Sequence, residues 1–104
     1  MNVIAEVTFT PIGTESPSLS RYVAAGLAVL AAHPEVRYQL TAMSTILEGE
    51  RAAVLAVVEA MNEAIFAAGV PRVGTQLKID ERRDKPASIE HKVAAVQAHL
   101  AAGR

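Results

Sequence analysis

The sequence contains no cysteine and no tryptophan, and its aromatic residues are two phenylalanines and two tyrosines. Without cysteine there is neither a disulfide framework nor thiolate chemistry, which fits a reducing compartment. No apolar run approaches the ~20 residues that a membrane-spanning helix needs. The N-terminus also lacks the basic region and apolar segment of a secretory signal. These absences predict a soluble, cytoplasmic protein with no membrane partner.

An excess of either charge is also absent, since 10 lysines and arginines stand against 11 aspartates and glutamates. A basic excess is what draws proteins to nucleic acids and anionic membranes, so the balance argues against both partners. Apolar residues are plentiful, at 51% of the 104 residues. We therefore expect a single domain, residues 1–104, with a core of valine, leucine and isoleucine separated by alanine.

Four stretches alternate apolar and polar residues with the period of two that is typical of half-buried strands. They cover residues 3–10, 36–41, 45–48 and 73–79. Apolar residues at helical spacing predict a first helix that ends near residue 32, a second over about 50–68 and a third after Ser88. We expect Ser16 before Pro17 to cap the first helix, with Ser18 as the alternative cap. Gly49 is expected to end the third strand, and Gly69 the second helix.

The order β-α-β-β-α-β-α predicts an α+β ferredoxin-like sandwich with an additional C-terminal helix. In this fold a four-stranded antiparallel sheet carries its two connecting helices on one face. The other face is left uncovered and would carry Ile4, Glu6, Thr8, Thr10, Arg37, Gln39, Gln76 and Lys78. This face is polar but short-chained, so we expect sheets of different subunits to pair and form a homo-oligomer.

Residues that would carry catalysis or bind a metal are not arranged in known patterns. His33, His91 and His99 lack metal-ligand spacing, so no metal site is expected. No Gly-x-Ser-x-Gly elbow and no phosphate-cradling glycine loop occurs. We therefore predict no catalytic residues and no enzyme activity. The alternative is a small isomerase of this fold, in which Glu48 would act with Tyr22 or Asp80.

Glu48 ends a strand that is expected in the sheet interior and that begins at the hydroxyl-bearing Thr45, next to Ser44. A carboxylate buried there is costly unless something pairs with it. Either it lies solvated at the rim of the sheet or it lines a polar ligand site. Glu50 is most simply explained as an acid in the first turn of a helix. The charged run 80–85 is either a solvated, internally paired loop or a ligand clamp or subunit contact.

Five segments of the chain resemble, in this order, segments of a known family. They are 11–14, 18–23, Met43-Ser44-Thr45-Ile46-Leu47-Glu48-Gly49-Glu50, 69–73 and Ile79-Asp80-Glu81-Arg82-Arg83-Asp84-Lys85. Together they look like the small thiamine-binding family, the YkoF-like group that binds thiamine or hydroxymethylpyrimidine. The resemblance runs from about Val3 to Leu100, and the third and fifth segments are its most specific parts. Pro71 before the fourth strand is the main departure from it.

The resemblance implies a ferredoxin-like fold, dimers that pair into tetramers, and binding of the ligand without its conversion. The ligand would be thiamine or its hydroxymethylpyrimidine moiety, and no cofactor would be required. By motif position, the residues implied in ligand binding are Gly13, Ser18, Ser20, Met43, Thr45 and Glu48. Hydroxyls and a carboxylate suit the amino group and ring nitrogens of an aminopyrimidine. The alternative is a ligand-sensing or protein-interaction regulatory module of the same fold with no thiamine affinity.

Overall fold

The computed structural model describes residues 1–103. Its elements are β1 (Asn2–Ile12), α1 (Ser20–Leu30), β2 (Arg37–Leu40), β3 (Thr45–Glu50), α2 (Arg51–Ala67), β4 (Arg72–Asp80) and α3 (Ile89–Ala102). The strands form one sheet in the order β2-β3-β1-β4, and every neighbouring pair is antiparallel. This confirms the predicted α+β ferredoxin-like sandwich and its additional C-terminal helix.

The core lies between the sheet and the pair α1 and α2. The alternation along β1 turns every second side chain toward the helices, and burial of each large apolar side chain contributes roughly 1.5–3 kcal/mol. The central cluster is aliphatic apart from one methionine, and its most deeply buried members are Val3, Val7, Leu47, Val54, Val57 and Met61. Tyr22, Ile65 and Val70 form a second buried cluster near the start of α1.

The start of α1 differs from the prediction. The helix begins at Ser20, and the preceding Leu19 makes no side-chain cap. Ser16 is engaged in the loop instead, because its Oγ accepts a hydrogen bond from the Ser18 amide at 3.2 Å. Short polar side chains commonly satisfy nearby amides in this way and compete with helix formation. The predicted cap at Ser16 or Ser18 was therefore wrong.

Gly49 does not end β3, which continues through it to Glu50. Its Cα lies opposite that of Val3 in the ladder with β1. A Cβ at this position would lie 3.1 Å from the carbonyl oxygen of Glu35 and 3.4 Å from Val36 Cγ2. The glycine therefore allows the loop before β2 to approach the sheet closely.

The predicted C-terminal end of α2 and the predicted N-terminal cap of α3 are confirmed. Gly69, with φ of +107°, follows the end of α2, where the left-handed region favours glycine. At the start of α3, Ser88 Oγ accepts a hydrogen bond from the His91 amide at 3.1 Å. The caps that rest on glycine conformation or on one isolated serine were thus predictable.

The face of the sheet opposite α1 and α2 is only partly covered. The first turns of α3 lie against it near Ile4, where they border a small cavity with Asp80. No residue of α3 is buried. The side chains of Val93, Val96 and Leu100 are each more than half exposed, and we call these three residues the α3 stripe. Within residues 1–103, no helix is long and apolar enough to cross a membrane.

Candidate functional site

The loop between β1 and α1 borders a polar cavity of about 390 Å³, which we call the serine cleft. It is lined by Gly13, Thr14, Glu15, Ser16, Ser18, Arg21, Tyr22 and Gly69. Gly13 has φ of +89°, and a Cβ there would lie 2.9 Å from Pro71 Cγ. The loop therefore packs closely against the start of β4. Two predicted site residues, Gly13 and Ser18, line the cleft, and Ser20 Oγ lies 3.4 Å from Ser18 Oγ.

Arg21 and Tyr22 form one wall of the serine cleft. Arg21 Nη2 donates a hydrogen bond of 2.6 Å to the Tyr22 hydroxyl, and its guanidinium carbon lies 4.3 Å from the centre of the Tyr22 ring. Tyr22 is only 5% exposed because its ring packs in the core. No acid among residues 1–103 forms an ion pair with Arg21. Arg21 is thus a positioned cation that pairs with no acid of residues 1–103, although the Glu15 carboxylate also lines the cleft.

A second cavity of about 140 Å³, the hairpin pocket, lies between β1, α1 and the turn that joins β2 to β3. It is lined by Val7, Thr8, Phe9, Val23, Leu40, Thr41, Ala42, Met43, Ser44 and Thr45. The turn is held by Thr41 Oγ1, which accepts from the Ser44 amide at 3.0 Å. Thr45 is buried, whereas Met43 is 84% exposed. Apolar walls with a few hydroxyls are typical of pockets for small molecules.

Glu48 lies at a third place, on the face of the sheet that α3 meets. It is 4% exposed. Its Oε2 accepts a hydrogen bond of 2.9 Å from Arg37 Nη1, and its Oε1 accepts one of 2.6 Å from the Ile89 amide. Arg37 also pairs with Glu90 in the first turn of α3. We call Arg37, Glu48, Ile89 and Glu90 the α3 anchor.

The charges of the α3 anchor support one another. The hydrogen bond from Arg37 is the main reason that the pKa of Glu90 lies below its usual range. The hydrogen bonds to Glu90 and Glu48 in turn raise the pKa of the Arg37 guanidinium. A carboxylate at the first amides of a helix is also favoured by the helix dipole. Both oxygens of Glu48 are therefore engaged within the chain.

The charged run after β4 is internally paired. Arg82 pairs with Asp84, and Arg83 pairs with Glu81 at 2.8 Å. Glu81 also accepts from Arg51 of α2 at 3.1 Å. The hydrogen bond from Arg82 lowers the pKa of Asp84 to about 2. The run is thus ordered by pairs among its own residues, by Arg51 of α2 and by Lys92 of α3, which pairs with Asp80. Its role as a ligand clamp or subunit contact stays a prediction.

The structure distributes the six predicted site residues over three places. Gly13 and Ser18 line the serine cleft, with Ser20 beside Ser18, and Met43 and Thr45 line the hairpin pocket. Thr45 and Glu48 are three residues apart on one strand, so their side chains point to opposite faces of the sheet. One copy of the chain therefore does not bring Glu48 together with the other five.

Sequence reasoning missed Arg21 and the pairing of Arg37 with Glu48. Arg21 belongs to no spacing pattern, although it lies within the segment 18–23 that resembles the family. The ring of Tyr22 packs in the core. The Arg37–Glu48 pair had a detectable signal, because the two residues lie opposite each other in the hairpin formed by β2 and β3. Among residues 1–103, no cluster of three or more histidines, aspartates and glutamates could hold a metal ion.

Comparison with known proteins gives one family and several relatives. The profile described as "Thiamine-binding protein" matches residues 5–97. The UPF0045 protein YqgV of Bacillus subtilis is 47% identical over 100 residues, which cover 93% of this chain and 96% of that protein. The UPF0045 protein of Methanothermobacter thermautotrophicus is 44% identical over 96 residues, covering 91% of this chain and 96% of the relative.

Solved structures agree with the fold. The hypothetical protein MJ1052 of Methanocaldococcus jannaschii superposes with a TM-score of 0.85 at 34% identity, covering 92% of this chain and 96% of that one. TM0486 of Thermotoga maritima, proposed to be a thiamine biosynthesis/salvage protein, superposes with a TM-score of 0.77 at 20% identity, covering 92% and 99%. At that identity the second likeness supports the fold alone. By the match over residues 5–97, the chain belongs to the thiamine-binding protein family.

Proposed function

We propose that this protein binds thiamine or its hydroxymethylpyrimidine moiety, without converting it, at strand ends and adjacent loops of a homo-oligomer. The observation that carries the proposal is the family match over residues 5–97, which supports a thiamine-related role. The description of TM0486 as a thiamine biosynthesis/salvage protein points in the same direction.

In this proposal the hairpin pocket receives the pyrimidine. The faces of an aromatic ring would pack against the apolar walls, to which Phe9 and Val23 contribute. Its amino group and ring nitrogens would pair with hydroxyls such as those of Ser44 and Thr45. Met43, at the exposed rim of the pocket, would cover the ring with a thioether that adapts to its shape.

The other predicted binding residues have different parts in the proposal. Gly13, Ser18 and Ser20, which line or adjoin the serine cleft, would contribute polar groups. Glu48 would have to exchange one of its present contacts, with Arg37 or with the Ile89 amide, for a ligand amino group. Since no acid–base pair is needed for binding alone, we assign none of these residues a catalytic role and require no cofactor.

The homo-oligomer is expected to be a dimer of dimers. Two exposed surfaces are available to form it: the α3 stripe and the uncovered part of the sheet face. Light scattering should give about four chains per particle. Val96→Glu should reduce this number, because a charge in an apolar contact is costly. Ala98→Glu is the matched control, since Ala98 lies on the opposite side of α3. A monomeric parent protein would contradict the oligomer.

Calorimetric titration with thiamine and with hydroxymethylpyrimidine tests the binding itself. Thr45→Val should weaken binding about fivefold, because a neutral hydrogen bond contributes about 1 kcal/mol. Thr10→Val, the same change at an exposed threonine of β1, should leave binding unchanged. If neither compound binds the correctly folded oligomer, the proposal is wrong, and a regulatory module without thiamine affinity becomes the better interpretation.

A further inference from the structure

We propose that the serine cleft binds a phosphate group, so that this protein takes phosphorylated forms of its ligand in preference to unphosphorylated ones. The preference rests on the proposed function, whereas binding of the phosphate group itself does not.

Arg21 is held in place without an acid. Its guanidinium stacks on the Tyr22 ring at 4.3 Å and donates one hydrogen bond, of 2.6 Å, to the Tyr22 hydroxyl. A guanidinium has five N–H donors, so the others remain for a further acceptor. Arginines 37, 51, 82 and 83 each pair with a carboxylate, whereas Arg72, like Arg21, pairs with no acid of residues 1–103. Arg21 differs from Arg72 in being held against a tyrosine in a cleft. A preorganised fork of donors matches the paired oxygens of a phosphate.

The Tyr22 hydroxyl adds a second donor. Since it accepts the hydrogen bond from Arg21, its own hydrogen is available to an acceptor in the cleft, and no such acceptor occurs among residues 1–103. Tyr22 is 95% buried and its ring is fixed by the core, so its hydroxyl is held in one position on the wall of the cleft. A fixed donor next to a cation suits an anionic acceptor.

Most of the other groups that border the serine cleft also suit a phosphate. The first turn of α1 has no side-chain cap, and the Tyr22 amide donates to the Leu19 carbonyl at 3.0 Å. The amides of Ser20 and Arg21 therefore remain for an anion at the positive end of the helix dipole. Ser16 and Ser18 bring hydroxyls to the same cleft, whose volume of about 390 Å³ admits a phosphate monoester. Glu15 also lines the cleft, and its carboxylate opposes the binding of an anion.

The test is a calorimetric titration with three probes: inorganic phosphate, thiamine and thiamine monophosphate. We expect phosphate to bind and thiamine monophosphate to bind more tightly than thiamine. Arg21→Gln should weaken the binding of phosphate and of thiamine monophosphate about ten- to a hundredfold, as expected for loss of a charge-assisted hydrogen bond. The affinity for thiamine, which has no phosphate, should change much less than that for thiamine monophosphate.

Three further variants sharpen the result. Arg21→Lys keeps the charge but not the planar fork, so it should restore only part of the affinity. Glu15→Gln should tighten the binding of phosphate severalfold. Arg83→Gln, which removes the same charge beyond the opposite end of β4, is the matched control and should have no effect. The circular dichroism spectrum of each variant establishes that it is folded.

The outcomes separate the two proposals. If thiamine binds but neither phosphate probe responds to Arg21→Gln, the phosphate site is wrong and the proposed function stands. If phosphate binds through Arg21 but thiamine and thiamine monophosphate bind no better than phosphate, the phosphate site stands and the proposed function is wrong. Equal weakening by Arg21→Gln and Arg83→Gln would indicate a general charge effect and overturn the site.

Discussion

An arginine lies near each end of the sheet, and only one of the two pairs with carboxylates. At the α3 anchor, Arg37 donates to Glu48 at 2.9 Å and pairs with Glu90, while Glu48 also accepts from the Ile89 amide. At the serine cleft, Arg21 is stacked on Tyr22 and has no acid partner among the described residues. Arg37 makes its hydrogen bonds within the fold, whereas Arg21 has N–H donors left for a partner outside the chain.

This difference indicates where to look for function. A buried carboxylate with all its hydrogen bonds made within the chain contributes to the position of α3, and its removal is a question of stability. A positioned cation with spare donors contributes little to stability, because its remaining interactions are with water. Local departures of this kind from full pairing are expected at functional sites.

The largest effect should come from breaking the α3 anchor. Glu48→Ala removes two hydrogen bonds to a buried charge and leaves the Ile89 amide without its acceptor, so we expect a loss of about 1.5–3 kcal/mol in the free energy of unfolding. Urea unfolding at neutral pH measures it. Glu59→Ala, at an exposed glutamate of α2, should change stability by less than about 0.5 kcal/mol. Equal effects of the two changes would contradict the structural role of Glu48.

Substitutions of the two glycines that line the serine cleft should have the next largest effect on stability. Gly13→Ala and Gly69→Ala each place a Cβ at a positive φ, which costs about 1–2 kcal/mol. Only at Gly13 would that Cβ also lie 2.9 Å from Pro71 Cγ, whereas nothing lies within 4 Å of it at Gly69. Gly13→Ala should therefore destabilise the protein more, in the same urea assay. The reverse order would show that the contact with Pro71 relaxes at no cost.

The fold could be predicted because its determinants are local. The period of two along residues 3–9 and the glycine at position 69 each act through their own neighbourhood, as does Ser88. The site was less predictable because it depends on which face a side chain occupies. Counting from Thr45 to Glu48 gives opposite faces, yet shared motif membership placed both in one site. The serines at 16 and 18 looked like helix caps because nothing in the sequence reveals that their polar atoms serve the loop.

Lowering the pH should weaken the contacts of α3 before it affects α1 and the serine cleft. Hydrogen bonds from Arg37 and Lys92 lower the pKa values of Glu90 and Asp80, respectively. Because folding lowers both values, this stabilisation is complete above the ordinary pKa values of 4.5 and 3.8, and is lost as pH falls toward the folded ones. NMR shifts of α3 amides should therefore change more than those of α1 between pH 6 and pH 3. Equal changes in both helices would count against the comparison.

We expect Arg21→Gln to have the smallest effect on stability. This variant tests the comparison of Arg37 with Arg21 most directly. The substitution removes the cation–π contact of an exposed arginine and one part-buried hydrogen bond, and an exposed cation–π contact contributes about 0.5–1 kcal/mol. The ring of Tyr22 stays buried in either case.

Arg37→Gln is the matched change at the other end of the sheet. It removes the same charge but takes a partner from buried Glu48, so its unfolding midpoint in urea should fall clearly further than that of Arg21→Gln. If Arg21→Gln proved the more destabilising of the two, Arg21 would be a structural residue, and its spare donors would no longer indicate a ligand. If it leaves stability nearly unchanged, any loss of phosphate affinity in the same variant belongs to the site itself.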